Sequence, residues 1–322
     1  MADYINIFGQ KVQYLSSDPS PVQAGQVWYN STSNTLKYRG YNATGAWATG
    51  GALNTARNSS TMAGTKDASL VSSGENPSGT NIGNVELYNG TSWTETTDVN
   101  SARRILSGSG TSTSSLIYGG YIAGNTGATE SWNGSAWTEV GDLNLARYGL
   151  SGAGVSNTSG LAIGGSSPNT ADTESYNGSS WTEVANLNTS RGGTNAVGSQ
   201  TAALIAGGNA PPYTAVTESW NGSSWTEVGD LNSARSVGAG GIQTSALAFG
   251  GTVGGSNSAL TESWNGSAWS EDGDLNTARN SIQGSGSSNT SALAATGYAG
   301  APSAATEEWT GAGEATKTVS TS

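Results

Sequence analysis

One phrase keeps returning along this chain. Trp-Asn-Gly-Ser-(Ser/Ala)-Trp-Thr-Glu-Val stands at Trp132–Val140 and Trp220–Val228, a copy with Tyr first stands at Tyr176–Val184, and partial copies begin at Tyr88 and Trp264. Its second tryptophan marks the period: Trp93, Trp137, Trp181, Trp225 and Trp269 are spaced by 44 residues, and Trp47 lies 46 before Trp93. Ten residues after each comes the arginine of an Asn-x-x-Arg phrase: Arg57, Arg103, Arg147, Arg191, Arg235 and Arg279. A Gly-Gly pair precedes most returns, at Gly119-Gly120, Gly164-Gly165, Gly207-Gly208 and Gly250-Gly251, with Ser73-Gly74 and Thr296-Gly297 in its place at the two ends. A period of 40–50 residues belongs to propellers and solenoids.

Within one unit the pattern is β. Between Arg191 and Val228 a small-residue run (Ala196–Gly198) is followed by an apolar run (Ala202–Ala206), and Thr217–Trp220 and Ser224–Val228 flank Asn221-Gly222. Asn-Gly between β-prone runs predicts a hairpin with a type I′ turn, since both residues tolerate positive φ. No stretch carries the 3.6 period of an amphipathic helix. Four short strands repeated at this interval make a propeller blade. Gly/Ser runs such as Ser107–Gly110 and Ser151–Gly154 suit a crowded inner strand, and the paired tryptophans supply bulk to the diverging outer ones.

These residues resemble kelch repeats, whose blades carry a Gly-Gly doublet closing strand two, an aromatic in strand three, a Trp in strand four and an Arg in the link onward. Here Gly207-Gly208, Trp220, Trp225 and Arg235 take those places, and the match runs over roughly residues 47–311. The third-strand aromatic is mostly Trp where Tyr is usual. The resemblance implies an all-β, six-bladed kelch-type β-propeller of four-stranded antiparallel blades over residues 46–311. It implies no function, because propellers host many. The last unit reaches Glu307-Glu308-Trp309 without a second Trp, whereas Ala46–Thr49 is a fourth strand with no blade before it. The expectation is that the strand near Trp47 closes the ring and removes two exposed sheet edges. The alternative is seven blades with a hybrid N-/C-terminal blade, in which Lys317–Val319 completes the sixth. Residues 312–322 read as a C-terminal tail.

Composition narrows the chemistry. The chain has neither Cys nor His. Disulfides, zinc sites, histidine acid–base catalysis and the copper chemistry of oxidases built on such propellers are therefore excluded. The expected cofactor and metal content is none. A net charge of −11 with 12 Lys+Arg argues against nucleic acid. No apolar run is long enough to span a membrane, and Met1–Lys11 lacks the apolar centre of a signal peptide, so the expectation is a protein made in a cytoplasm and not secreted through a leader. The Asn-x-Ser/Thr triplets at Asn133, Asn177, Asn221 and Asn265 read as turns rather than glycosylation sites.

Two sets of residues are candidates for function. Six equivalent arginines could form an anion or acidic-glycan ring. The structural reading is favoured: each ties blades through a repeated carboxylate, either Glu130, Glu174, Glu218 and Glu262 of strand three or Glu95, Glu139, Glu183, Glu227 and Glu271 of strand four. Trp47, Trp93, Trp137, Trp181, Trp225 and Trp269 are read as structural in the same way. Repetition also weakens a glycosidase reading, which needs one singled-out carboxylate pair. The loops between strands two and three vary in length and content and must share one face. Their Tyr121, Asn125, Asn169, Pro212, Tyr213, Asn257 and Tyr298 are the ligand-binding candidates, being residue types suited to carbohydrate or protein contact.

Residues 1–45 break the period. After Asp18-Pro19-Ser20-Pro21, a hairpin is expected over about 25–39. Its Gly25-Gln-Val-Trp-Tyr-Asn-Ser-Thr32 and Leu36-Lys37 resemble segments of tail-fibre and other virion proteins of tailed, especially marine, bacteriophages. That resemblance, about 20 residues long, implies a non-enzymatic virion protein with a structural or host-recognition role. It implies an N-terminal docking element contacting other virion proteins and a host-surface glycan or protein as ligand, and leaves self-association open. The alternatives are an intracellular bacterial interaction propeller and, behind it, a carbohydrate-active hydrolase.

Overall fold

The computed structural model describes residues 12–23, 25–42, 44–166 and 168–319. Residues 1–11, considered above for a leader, lie outside them. The described residues are all β, without helices, and build seven four-stranded sheets in two compact units: Ala46–Thr310 is one, and residues 1–45 with 311–322 are the other.

Six sheets repeat in the larger unit. Sheet I holds Thr61–Thr65, Ala68–Ser72, Val85–Tyr88 and Trp93–Thr96; sheet II holds Ser107–Thr111, Ser114–Tyr118, Thr129–Trp132 and Trp137–Val140. Sheet III holds Ser151–Ser156, Ser159–Gly165, Thr170–Tyr176 and Trp181–Val184; sheet IV holds Ala196–Ser199, Ala202–Ala206, Thr217–Trp220 and Trp225–Glu227. Sheet V holds Gly238–Ile242, Ser245–Phe249, Thr261–Trp264 and Trp269–Glu271. Sheet VI takes Gln283–Ser288, Ser291–Ala295 and Thr306–Thr310 from the last repeat and Ala46–Thr49 from before the first, with Trp309 opposite Trp47. All six are antiparallel, the first five of them meanders, and the first strands of I and II, II and III, III and IV, IV and V, V and VI, and VI and I lie against each other. This is a propeller-like array of repeated blades.

The core lies between sheets. Leu70 and Val85 of sheet I pack with Ile117, Trp132 and Trp137 of sheet II, and corresponding clusters follow at the other joints. The two tryptophans of one phrase face across strands three and four, Trp132 with Trp137 and Trp220 with Trp225, ring centroids 5.2 Å apart. Each buries roughly 150–250 Å², which lets Gly- and Ser-rich strands hold a core.

The Gly-Gly pairs join neighbouring sheets. The second residue donates its N–H to the carbonyl of the next linker's arginine: Gly74 to Arg103, Gly120 to Arg147, Gly165 to Arg191, Gly208 to Arg235, Gly251 to Arg279 and Gly297 to Arg57, at 2.8–3.1 Å. The first residue sits so close that a Cβ at Gly207 would lie 2.2 Å from the Arg235 carbonyl oxygen. Ser73 and Thr296 take that place with φ of 61°. Tryptophan ring N–H groups add a second bond across the joints. Trp93, Trp181, Trp269 and Trp47 donate to the Thr306, Thr129, Thr217 and Thr261 hydroxyls of the preceding sheet at 2.9–3.1 Å. Sheet I has Val85 there, and Trp137 uses the Thr97 carbonyl instead. At the III–IV joint, Trp225 Nε1 and Thr173 Oγ1 are both buried without a partner.

Three expectations are corrected. The Asn-Gly hairpins are not two-residue type I′ turns. Trp132 pairs with Trp137, so four residues turn the chain, and only the glycine has positive φ (Gly134, 96°). The asparagine works through its side chain instead: Asn133 Oδ1 accepts from the Ser135 and Ala136 N–H groups at 2.9 and 3.0 Å. Tryptophan pairing fixes this register. Second, Lys317–Val319 does not complete the sixth repeat. Gly313–Thr318 is no tail either: it pairs antiparallel with Thr35–Asn42. Third, the hairpin Val27–Asn30/Thr35–Asn42 therefore sits in a sheet made from both chain ends, with Gln13–Leu15 parallel to Val27–Asn30 at its other side. Around it Asp18 accepts from Trp28 Nε1, Asn30 Nδ2 and Lys37 Nζ at 2.7–2.9 Å. The Lys37 bond is the largest of the effects that hold this carboxyl down at about 2.

Candidate binding face

The connections after strands two and four meet on one face of the repeat array. Linker and loop are stitched by backbone bridges at equivalent places: Asn58 to Glu75, Arg104 to Tyr121, Tyr148 to Ser166, Gly192 to Asn209 and Asn280 to Tyr298.

Each linker is also clamped by its Asn-x-x-Arg phrase. Asn144 donates its backbone N–H and its side-chain amide to Glu174 Oε2 at 2.7 and 2.8 Å, and the amide also reaches the Trp181 carbonyl at 3.0 Å. Arg147 takes the other carboxylate oxygen. The same arrangement joins Arg57 to Glu86, Arg103 to Glu130, Arg191 to Glu218 and Arg279 to Glu307 at 2.5–2.9 Å, and Arg235 to Glu262. All six guanidiniums are buried. Burial pushes Arg57, Arg191 and Arg279 below the ordinary arginine value, and the glutamate beside each pulls it back up. These arginines are therefore closed to an external anion. The strand-four glutamates are exposed and take no part in the six pairs.

The loop candidates divide. Asn169 donates to the Asn209 carbonyl at 2.7 Å, and Asn257 donates to the Tyr298 carbonyl and accepts from Asn280 at 2.8 Å each, so both amides staple one loop to the next. Asn81, which occupies the equivalent place in the first repeat, does likewise to Tyr121. Asn125 is exposed and bridged to Tyr121 through its backbone. Tyr121 lies under Arg104, guanidinium carbon 5.4 Å from the ring centroid, and edge-on to Tyr148; Arg104 in turn pairs with Glu75 at 2.8 Å. Tyr298 and Pro212 are exposed, and Tyr213 is half-buried.

A cavity of about 330 Å³ opens where these connections converge, and Tyr213 is the one sequence-derived candidate that lines it. Its wall includes Asn195, Asn209, Asn280 and Gln283 and carries no charged side chain. A second cavity of about 580 Å³ lies among the first strands of the six sheets, and Asn195 and Gln283 line both. Repeat comparison could have found those two. The residue four places after each arginine is Thr61, Ser107, Ser151, Asn195, Ala239 and Gln283, small except at two sites. Arg104, the second residue of the Arg103-Arg104 pair, marks the Glu75–Tyr121–Tyr148 cluster in the same way.

A scan against protein-family models finds none that matches the chain, and no curated protein matches it.

Proposed function

We propose that the chain is a virion-associated, non-catalytic binding or scaffolding protein built on a closed six-bladed kelch-type propeller. The fold reading rests on the Gly297 to Arg57 bond, which repeats between sheets VI and I what holds the other joints, and on the Trp47–Trp309 pairing, which completes sheet VI with a strand from before the first repeat. The functional reading is carried by one observation. The stretch that resembles phage tail-fibre segments, Gly25–Lys37, forms the central hairpin of a unit separate from the repeats. A separate terminal sheet suits attachment to other virion proteins, and the variable loop face suits contact with a host surface. A non-catalytic role is supported by the strand-three glutamates, each bound to a buried guanidinium and so withdrawn from acid–base work. Mass spectrometry of purified virions tests the assignment: the chain is expected at stoichiometric abundance. Its absence from virions, with presence in infected or uninfected cytoplasm, would overturn it.

A further inference from the structure

The wall of the mouth cavity is unequal around its rim. Two residues after the repeat arginine the chain turns left-handed at Ser59, Ile105, Gly149, Gly193 and Ser281, with φ of 47–67°. For a β-branched residue such as Ile105 this conformation is an outlier, and bonds on both sides hold it. Ile105 N–H donates to the Ser59 carbonyl at 2.7 Å, Gly149 to Ile105 at 2.9 Å and Gly193 to Gly149 at 2.7 Å. Sheets I to IV are thus laced at the mouth. Val237 does not take the left-handed turn, and among the described residues no such bond continues from Gly193 through Val237 and Ser281 to Ser59.

The large polar side chains stand beside the unlaced sector. Asn195 Nδ2 donates to Gln283 Oε1 at 3.2 Å, reaching from the sheet IV side to sheet VI past the small Ala239 of sheet V. Either amide can serve as the donor of this bond, with the same consequence. One amide gives an N–H and the other an oxygen, which leaves one carbonyl oxygen and one NH2 group on a bonded pair of residues that line the cavity. Each hydroxyl of a vicinal diol both donates and accepts, and such a pair matches it. Tyr213 supplies an aromatic wall, and Asn209, Asn280 and Ser281 supply further neutral polar groups. A wall with no charged side chain offers no counter-charge to offset the desolvation of a carboxylate, a phosphate or an amine. The volume lies at the small end of ligand sites.

We propose that this cavity binds an uncharged saccharide unit, its vicinal hydroxyls bridged by Asn195 and Gln283 and its ring set against Tyr213. This rests on the host-surface-binding reading above and specifies its ligand class. The test is titration of the full chain, by calorimetry and saturation-transfer NMR, with glucose, galactose, mannose, N-acetylglucosamine, N-acetylgalactosamine and their disaccharides, with glucuronic and sialic acids in parallel. At least one neutral sugar is expected to bind and the acids are expected not to. Asn195→Ala and Gln283→Ala should each weaken binding about tenfold or more, the cost of losing one well-placed bond to a hydroxyl. Glu183→Ala, on an exposed strand-four position, should leave it unchanged. The amide variants should keep the parent melting temperature within a few degrees, and if either unfolds, Gln283→Glu serves as the charge-introducing alternative with the same expected loss. No neutral sugar bound, acids bound as tightly as neutral sugars, or binding indifferent to all three cavity variants would overturn the proposal. Presence in virions without sugar binding defeats this inference alone, and sugar binding with absence from virions defeats the virion assignment alone.

Discussion

The six repeat sheets and the terminal sheet both use a carboxylate to gather a passing segment, but they place it in opposite surroundings. In the repeats the carboxylate is buried. Glu218 accepts from the Asn188 backbone and amide, from the Thr189 N–H and from Arg191, with both charged side chains excluded from water. In the terminal sheet Asp18 collects Trp28, Asn30 and Lys37 at the surface, its own side chain 42% exposed. Each carboxylate takes one amide and one cation; Glu218 adds two backbone N–H groups where Asp18 adds an indole, and the largest difference between them is burial. A buried pair adds little net stability over a well-packed apolar pair, but it is very costly to break, because the remaining partner keeps its desolvation penalty. An exposed carboxylate is screened and can fall back on water.

The largest effect should come from breaking a buried pair. Glu218→Ala strands Arg191 and should destabilise the repeat unit by about 3–5 kcal/mol in denaturant titration. The double change Arg191→Met with Glu218→Leu should recover the part due to the stranded guanidinium, while the Asn188 and Thr189 N–H groups stay without their acceptor. Asp18→Asn should leave the same transition where it was, and a matching loss there would dissolve the contrast.

A smaller pair of changes compares two joints inside the repeats. Thr217→Val removes the acceptor of the Trp269 ring N–H and leaves it buried and unpaired, at a cost of about 1–3 kcal/mol. Thr173→Val at the III–IV joint removes a hydroxyl that already lacks a partner, and sheet I carries Val85 at that place. It should be neutral or stabilising by thermal melting. Equal losses at both sites would show that Trp225 and Thr173 are bonded in solution.

The smallest effect concerns pH. The folded Asp18 carboxyl is depressed to about 2, chiefly by its bond from Lys37. A depressed carboxylate contributes stability above its unfolded value and loses it as pH falls through the folded one. The Trp28 indole N–H resonance should therefore shift between the ordinary carboxylate range and pH about 2. In Asp18→Asn it should stay flat over that window.

What could be read from the chain follows its repetition. The four-strand unit, the Trp47 partner of Trp309 and the glutamate near each arginine are legible because identical residues recur at fixed separation; Arg103–Glu130 and Arg147–Glu174 both span 27 residues. The turn departs from its Asn-Gly signal because that propensity is local, whereas the Trp132–Trp137 pairing sets loop length. The strand Gly313–Thr318 is not legible in the sequence because its pairing with Thr35–Asn42 joins segments almost the whole chain apart. The loop asparagines looked like ligand groups, but Asn169 and Asn257 recur at one repeat position and staple the loops. Asn195 and Gln283 are the converse: each is ordinary alone and exceptional only against the small residues at the four other equivalent positions.

The proposed closure of the repeat array rests on the pairing of the Trp47 strand with Thr306–Thr310, and one cross-link tests it. The chain has no cysteine, and Ala46 and Thr310 are exposed cross-strand partners in sheet VI. Directly opposed Cβ atoms, about 4.5–5.5 Å apart, suit a disulfide after little adjustment. Ala46→Cys with Thr310→Cys should oxidise to an intramolecular disulfide in nearly every molecule under mild conditions. The monomer should then run faster on a non-reducing gel and melt at higher temperature. Free thiols that persist, or disulfides that form only between molecules, would contradict the closed arrangement.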